Sequence, residues 1–323
     1  MNDGAPVTGK FPAHRELSRE FTPARILVFD SGLGGLTVLA EISRARPEAE
    51  IVYAADDACF PYGALSEAAL VDRVGEVVAM LIDRAAPDLV VVACNTASTL
   101  VLAPLRAAHP RVAFVGTVPA IKPAASASRS GLVSVLATPG TVARDYTHAL
   151  VRDFANGCEV TLVGSARLAE VAERRLRGEA IGADEIACEI APCFVSRGDR
   201  RTDQIVLACT HFPLLTDRFV ALAPWPVAFV DPAPAIARRV DALLGPPRGA
   251  RRAGPPFPAL FTSGRAPTPA LRKALLRFGL GATSTPGIPL PVLRGRAKGG
   301  AGAASATSKA TLRLHPLINR EHG

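Results

Sequence analysis

Short apolar runs and longer amphipathic stretches follow each other along most of the chain. Residues 25–29, 51–54 and 112–115 are apolar runs of strand length. Between such runs apolar residues recur every three or four positions, most clearly from Ser66 to Ala86, which predicts a helix with one apolar face. Strands that alternate with helices predict mostly parallel sheets flanked by helices, the α/β class.

Two of the predicted strands carry the same pattern. The segments 88–96 and 203–211 both run from an aspartate through apolar residues to an alanine and then a cysteine, six positions after the aspartate. The two cysteines, Cys94 and Cys209, are 115 residues apart, about one domain's length. The duplication predicts two pseudo-symmetric domains. Each would deliver one thiol to the carboxyl end of a parallel strand, where α/β proteins bind ligands.

The order of the predicted elements divides the chain into four parts. Residues 1–24 lack periodicity, and we expect a flexible extension there. Residues 25–117 together with 227–280 are expected to form the first α/β domain, and residues 118–226 the second. Residues 281–323 have the composition of a basic low-complexity tail.

The net charge of +8 is unevenly distributed. Residues 248–323 contain 13 Lys and Arg and one acidic residue, whereas residues 1–247 contain 24 basic and 28 acidic residues. The predicted globular body is therefore mildly acidic, and the basic excess lies in a segment of a type that is usually solvated. This distribution disfavours a dedicated nucleic-acid function.

Cellular location is inferred from what the sequence lacks. No apolar stretch reaches the ~18 residues of a membrane span, and the first 25 residues have no apolar core of a secretory signal. Six cysteines in 323 residues are too few for a disulfide framework. We expect a cytoplasmic protein with reduced thiols.

The paired thiols suggest acid–base chemistry. Helix N-termini and nearby N–H groups lower a thiol's pKa, so we expect thiolate to be available near neutral pH. A covalent mechanism needs one nucleophile, whereas inverting a carbon centre needs a base on one face and an acid on the other. The alternative is that both cysteines are buried structural residues, but the repeated pattern favours opposed acid–base groups. His211 could tune Cys209 or contact a ligand amine, or it could simply begin a helix.

Two loops could bind the rest of a ligand. The loop from Asp30 to Thr37 contains three glycines before a helix, and its N–H groups suit a carboxylate or a phosphate equally well. Tyr62 and Gly63, in a Pro- and Gly-containing loop, could offer a hydroxyl and an amide. The competing interpretations are a plain strand-to-helix turn in the first case and a rigid turn with a half-buried tyrosine in the second.

These segments resemble the cofactor-independent aspartate/glutamate racemases. The resemblance covers about residues 25–280. The blocks that carry it are Phe29 to Val38, Phe60 to Gly63, Ala93 to Ser98, Ala208 to His211, and Val230 with Asp231.

The resemblance implies a fold, an activity and a site. It implies two α/β domains with the active site in the cleft between them, and interconversion of L- and D-glutamate without pyridoxal phosphate, another cofactor or a metal. It implies that this reaction supplies D-glutamate for peptidoglycan synthesis, and so serves cell-wall biogenesis and cell shape. By motif position, Cys94 would deprotonate D-glutamate and Cys209 L-glutamate. The residues implied to contact substrate are Asp30, Ser31, Tyr62, Gly63, Asn95, Thr96, Thr210 and His211.

The sequence departs from the family's usual pattern in places. Ala208 stands where many members have glycine, and Phe212 where many have tyrosine; residues 162–173 differ from the usual block there. Whether Glu173 is the counterpart of an acidic residue used by some members stays open. The remaining four cysteines are interpreted as structural or passive: Cys59, Cys158, Cys188 and Cys193.

Other functions remain open from the residues alone. A relative of this type could racemise aspartate or another acid, or decarboxylate a malonate. The thiols could instead form a redox pair, which would need their sulfurs within bonding reach, and the tail could bind nucleic acid. The expected partner is the small substrate glutamate, with no membrane; a homodimer is an assembly the sequence allows.

Overall fold

The computed structural model describes residues 22–249 and 256–281, together with the backbone of residues 308–312. Nearly all of the predicted N-terminal extension and most of the predicted tail lie outside these residues. The strands are β1 Arg25–Asp30, β2 Glu50–Ala55, β3 Leu89–Val92, β4 Ala113–Gly116, β5 Leu132–Ala137, β6 Glu159–Gly164, β7 Ser196–Arg197, β8 Arg200–Arg201, β9 Gln204–Ala208, β10 Ala228–Val230, β11 Phe257–Phe261, β12 Leu280–Gly281 and β13 Ser308–Leu312. The helices are α1 Leu36–Ala45, α2 Glu67–Ala85, α3 Asn95–Ala108, α4 Ile121–Ala127, α5 Pro139–Val142, α6 Asp145–Phe154, α7 Leu168–Leu176, α8 Ala183–Ile190, α9 Thr216–Leu222, α10 Ala233–Leu244 and α11 Pro269–Arg277.

The strands form two large sheets with matching topology. The first has the order β12-β11-β2-β1-β3-β4 and the second β10-β9-β5-β6-β13. All pairings in the first sheet are parallel, as are those of the second except for β13. The order β2-β1-β3-β4 corresponds to β6-β5-β9-β10. The α/β class and the pseudo-symmetric pair of mostly parallel sheets are thus as predicted, and β3 and β9 occupy equivalent positions.

The aspartates that begin the duplicated segments have equivalent structural roles. Asp88 accepts a hydrogen bond from the Arg25 amide at the start of β1 (2.9 Å). Asp203 accepts from the amides of Arg129 and Ser130, just before β5 (2.7 and 3.0 Å). In each domain a carboxylate therefore fixes the cysteine-bearing strand against the central strand, at the end far from the thiol.

Helices cover both faces of each sheet. In the first domain α1, α10 and α11 bury apolar residues on one face, and α2 and α3 on the other. In the second, α7, α8 and α9 cover one face, and α4 and α6 the other. The predicted start of the helix at Ser66 is confirmed, because the Ser66 hydroxyl accepts from the Ala69 amide. Each sheet is thus a rigid support for the loops at its strand ends.

Two features differ from the sequence prediction. The predicted boundary at residue 227 assigns β10 to the first domain, but this strand pairs with β9 in the second sheet. The chain returns to the first domain after β10, beginning with α10, which packs on α1. A three-residue apolar strand does not reveal in the sequence which sheet it joins. Within the predicted low-complexity tail, β13 pairs antiparallel with β6.

Among the described residues, no helix combines the length and apolarity needed to cross a lipid bilayer.

Removing β13 tests its role at the sheet edge. A chain lacking residues 306–323 would expose the backbone donors and acceptors of β6, and exposed edges promote pairing with other chains. We expect more self-association on size-exclusion chromatography. If about 1 kcal/mol of stability is lost, the melting temperature would fall by about 2–4 °C. A control that lacks only residues 316–323 keeps the strand and should behave as the full chain; equal behaviour of both truncations would contradict the role.

Candidate active site

Cys94 and Cys209 occupy equivalent places in the two domains. Cys94 follows β3 and directly precedes α3, whereas Cys209 follows β9 and precedes a short 3-10 turn at Phe212–Leu215. Both side chains are only 6 % exposed. The thiols lie close enough for charge on Cys209 to raise the pKa of Cys94. A buried pair of sulfurs at the carboxyl edges of two sheets is the geometry that the duplicated segment predicted. All six cysteines are free thiols.

The surroundings of Cys94 are acidic and dry. Burial is the main cause of its raised pKa, and the neighbouring carboxyl of Asp30 raises it further. The Ala97 amide and the Ser31 hydroxyl, whose oxygen is 3.8 Å from the sulfur, offset only part of this rise. The expectation of a lowered thiol pKa is therefore wrong for Cys94, because desolvation outweighs the N–H groups at the start of α3.

The surroundings of Cys209 contain an imidazole instead. His211 Nδ1 is 3.9 Å from the Cys209 sulfur, and Nε2 is 3.1 Å from Glu173 Oε1. Burial by itself lowers the pKa of His211, but its hydrogen bonds to Cys209 and Glu173, with the charge of Asp30, raise it well above the usual value. The raised pKa favours the protonated form of His211 beside the second thiol.

Glu173 lies inside the site, which answers a question that the sequence left open. It is 5 % exposed and belongs to α7. Burial tends to raise its pKa, but hydrogen bonds from His211 and the Leu33 amide, together with the charge of Arg177, lower it overall. The Leu33 amide nitrogen is 2.6 Å from Oε1. Glu173 is thus a carboxylate that orients His211 and joins the second domain to the loop after β1.

The loop from Asp30 to Thr37, the glycine loop, binds carboxylates of the protein itself. The amide of Gly35 donates to Asp30 Oδ2 (2.8 Å), and the amide of Leu33 donates to Glu173. A Cβ at Gly32 would clash with Glu173, and one at Gly34 would lie 2.5 Å from His211 Nδ1. Glycine is therefore needed at these two positions so that groups of the second domain can approach the loop.

Asn95 and Thr96 follow Cys94 and differ in their partners. Both polar atoms of the Asn95 side chain are buried and lack a hydrogen-bond partner within the described part of the chain. The Thr96 hydroxyl lies across the cleft, 3.1 Å from the Thr138 hydroxyl and 3.2 Å from that of Thr141. Buried side-chain amides are normally paired, so Asn95 is the group best placed to receive a ligand.

Tyr62 and Gly63 have separate environments. The Tyr62 hydroxyl donates to Asp56 Oδ2 (2.7 Å), and Arg73 binds the same carboxylate through two nitrogens. Tyr62 is only 2 % exposed, so its hydroxyl supports the loop, as the rigid-turn interpretation held. Gly63 instead lies near Gly140 of the second domain: a Cβ added at Gly140 would be 3.9 Å from the Cα and the carbonyl oxygen of Gly63.

The remaining predicted residues also lie at the domain interface. Ser31 and Thr210 are 4 % and 3 % exposed. The Thr210 carbonyl lies 3.4 Å from the Thr37 hydroxyl of the first domain and accepts from it. Ser31 thus lies beside the Cys94 sulfur, and Thr210 contacts the first domain.

Sequence reasoning missed Thr138 and Thr141. The segment Thr138 to Thr141 follows β5, which is equivalent to β1, so it corresponds in the second domain to the loop that begins at Asp30. Extending the internal repeat from the cysteine segments to the first strand of each domain would have identified it. Within the described residues, no group of three or more His, Cys, Asp and Glu side chains could hold a metal ion.

Comparison with known proteins agrees with the geometry. The sequence profile of the Asp/Glu/Hydantoin racemase family matches residues 30–240. The glutamate racemase of Rhizobium meliloti (strain 1021) is 54 % identical over 255 residues, which are 79 % of this chain and 92 % of that protein. The glutamate racemase of Brucella ovis is 52 % identical over 277 residues, 84 % of this chain and 97 % of that protein.

Solved structures give the same result. Escherichia coli glutamate racemase, crystallised with L-glutamate and the activator UDP-MurNAc-Ala, superposes with a TM-score of 0.74 at 40 % identity, over 80 % of this chain and 97 % of that one. The isoform RacE1 from Bacillus anthracis superposes with a TM-score of 0.67 at 26 % identity, over 83 % of this chain and 98 % of that one. On its sequence, its two matching sheets and its two equivalently placed buried cysteines, this chain belongs to the Asp/Glu/hydantoin racemase family.

Proposed function

We propose that this chain interconverts L- and D-glutamate by passing the α-proton between Cys94 and Cys209. The observation that carries the proposal is the equivalent placement of the two buried thiols after β3 and β9, in electrostatic contact with each other. The glutamate racemases that it resembles over most of their length favour glutamate as the substrate. The product would supply D-glutamate for peptidoglycan synthesis in the cytoplasm.

Cys94 would act as the acid in one direction of the reaction. The raised pKa of Cys94 keeps its proton in place at neutral pH, so Cys94 is the acid when Cys209 removes the α-proton. By family analogy this is the direction from L- to D-glutamate. The carbanion formed at Cα takes the Cys94 proton on the opposite face, which leaves Cys94 as thiolate and Cys209 as thiol. A buried thiolate with a raised pKa is also a stronger base for a weakly acidic C–H bond.

The polar residues around the thiols would hold the amino-acid end of the substrate. The unpartnered amide of Asn95 can accept from an ammonium and donate to a carboxylate. Ser31, Thr96, Thr210 and the backbone of Gly63 line the same interface. Donors fixed before the reaction stabilise charge that develops at the α-carboxylate when Cα is deprotonated.

Single cysteine substitutions test the two-base scheme. Cys94→Ser and Cys209→Ser should each reduce racemisation to background, because each removes one of the two proton-transferring groups. Each variant should still eliminate chloride from one enantiomer of 3-chloroglutamate, since elimination needs only the base on the side of the α-proton. Racemisation is measured by circular dichroism; racemisation retained by either variant would rule out the scheme.

Solvent exchange and a shorter acid complete this test. In D2O the unmodified chain should introduce deuterium at Cα of glutamate with no added cofactor. Turnover of L-aspartate should be measured beside that of L-glutamate. Faster racemisation of L-aspartate would identify the chain as an aspartate racemase instead. The Cys188→Ser variant is the matched control, since Cys188 is an exposed thiol on α8, and it should retain racemisation.

Substitution of Asn95 tests whether this side chain serves glutamate binding or the stability of the fold. Asn95→Ala should lower kcat/KM for glutamate at least tenfold, mainly through KM, because it removes a ligand-binding amide. It should not lower the melting temperature, because a buried amide without a partner costs about 1–3 kcal/mol to desolvate. Steady-state kinetics and thermal denaturation measure the two effects; a fall in the melting temperature with unchanged KM would contradict the assignment.

The pH dependence tests the pair of Glu173 and His211. The pKa of His211 is raised in the folded chain, so its imidazolium persists below that pKa and is lost as the pH rises through it. Glu173→Gln removes the negative charge, so the alkaline limb of the kcat/KM profile should move to lower pH by roughly one unit. Glu170→Gln, an exposed position on the same helix, is the control and should leave the profile unchanged. An unmoved limb in Glu173→Gln would show that this ion pair does not govern the profile.

A further inference from the structure

The peptide group between Gly32 and Leu33 is held at both of its polar atoms. The Tyr53 hydroxyl donates to the Gly32 carbonyl oxygen at 2.6 Å, and the Leu33 N–H of the same peptide donates to Glu173 Oε1 at 2.6 Å. Donation to the carbonyl polarises the peptide and makes its N–H a stronger donor. The two hydrogen bonds therefore reinforce each other across one peptide plane.

The two groups that hold this peptide come from different domains. Tyr53 lies on β2 of the first domain and is completely buried, whereas Glu173 lies on α7 of the second. Gly32 is also the position at which any side chain would collide with Glu173. The peptide plane at this point is thus fixed by contacts, and loss of the tyrosine hydroxyl would free its carbonyl to rotate.

We infer that Tyr53 is a positioning residue for the Cys209 half of the site, which consists of Cys209, His211 and Glu173. By fixing the Gly32–Leu33 peptide, it holds the N–H that orients Glu173, and Glu173 in turn orients His211 toward the sulfur. The inference rests on the proposed racemase function. Tyr53 itself contacts no reacting group.

The same contacts do not extend to the Cys94 half. There Asp30 is held by the amide of Gly35, and Ser31 lies beside the sulfur. Neither of these contacts uses the Gly32–Leu33 peptide. Burial is the main cause of the raised pKa of Tyr53, followed by the charges of Asp30, Glu173 and Cys94, so the phenol remains a hydrogen donor. Tyr53 therefore lies within electrostatic range of Cys94, but its hydroxyl donates to the Gly32 carbonyl and not to a group beside that sulfur. Removing that donor should therefore affect the two thiols unequally.

Elimination of chloride from 3-chloroglutamate measures the activity of each thiol separately, because each enantiomer presents its α-proton to only one of them. The thiolate takes the α-proton, the C–H electron pair becomes the Cα–Cβ double bond, and chloride leaves with the C–Cl pair. The resulting enamine tautomerises to the imine, and water hydrolyses it to 2-oxoglutarate and ammonia. Cys94→Ser and Cys209→Ser identify which enantiomer depends on which thiol.

The test is Tyr53→Phe, which removes one oxygen and keeps the ring in the core. We expect elimination from the Cys209-dependent enantiomer to slow roughly fivefold to tenfold, as for loss of one buried hydrogen bond. Elimination from the other enantiomer should change less than twofold. Tyr146→Phe makes the same chemical change at a partly exposed tyrosine and should affect neither enantiomer.

A double substitution tests the route through Glu173. In a Glu173→Gln background, Tyr53→Phe should have little further effect, because both changes interrupt the same set of contacts. Equal losses for both enantiomers, no loss for either, or independent additive effects in the double variant would overturn the inference. Failure of the unmodified chain to racemise glutamate would instead count against the proposed function, so the two failures are distinguishable.

Discussion

The approach of Glu173 and His211 to the glycine loop is the contact on which the rest of the site depends. It brings a carboxylate and an imidazole of the second domain against the backbone of the first, at Leu33 and Gly34. The approach is close because residues 32 and 34 lack side chains. It also removes water from the second thiol, and a low-dielectric site strengthens the charge interactions that shift the pKa of His211. The backbone geometry of the glycine loop, the burial of Cys209 and the pKa of His211 therefore all depend on this one contact between the domains.

The two half-sites are equivalent in position and different in charge. The Cys94 half contains a carboxyl and a hydroxyl, from Asp30 and Ser31, whereas the Cys209 half contains an imidazolium and a carboxylate. Glutamate and its mirror image have equal free energies, so the catalyst gains nothing overall from this asymmetry. Burial and the neighbouring Asp30 instead raise the pKa of Cys94 and so favour its protonated thiol, whereas His211 lies beside Cys209.

Much of this arrangement was predictable from the sequence. The spacing of Asp, the apolar run and Cys in the two segments predicted the two equivalent strands with a cysteine after each, because a repeated local pattern folds into a repeated local structure. The partner of Tyr62 was not predictable, because Asp56 and Arg73 meet it through packing of α2 and not through any local motif. The raised pKa of Cys94 was missed for a similar reason. Helix position is visible in a sequence, but the degree of desolvation depends on both domains together.

The distribution of apolar surface bears on how substrate reaches the thiols. The four hydrophobic clusters lie mainly within one domain or the other, with Phe60 of the first domain packed against a cluster of the second. The contacts across the cleft are mostly polar: the hydroxyl of Thr96 with those of two threonines, the ion pair of Arg144 with Glu67, and the carboxylate of Glu173 with the Leu33 amide. Each such contact contributes on the order of 1 kcal/mol net, because water can replace it. Polar contacts of this kind can be exchanged for contacts with water, so they suit an interface between domains that must admit a ligand.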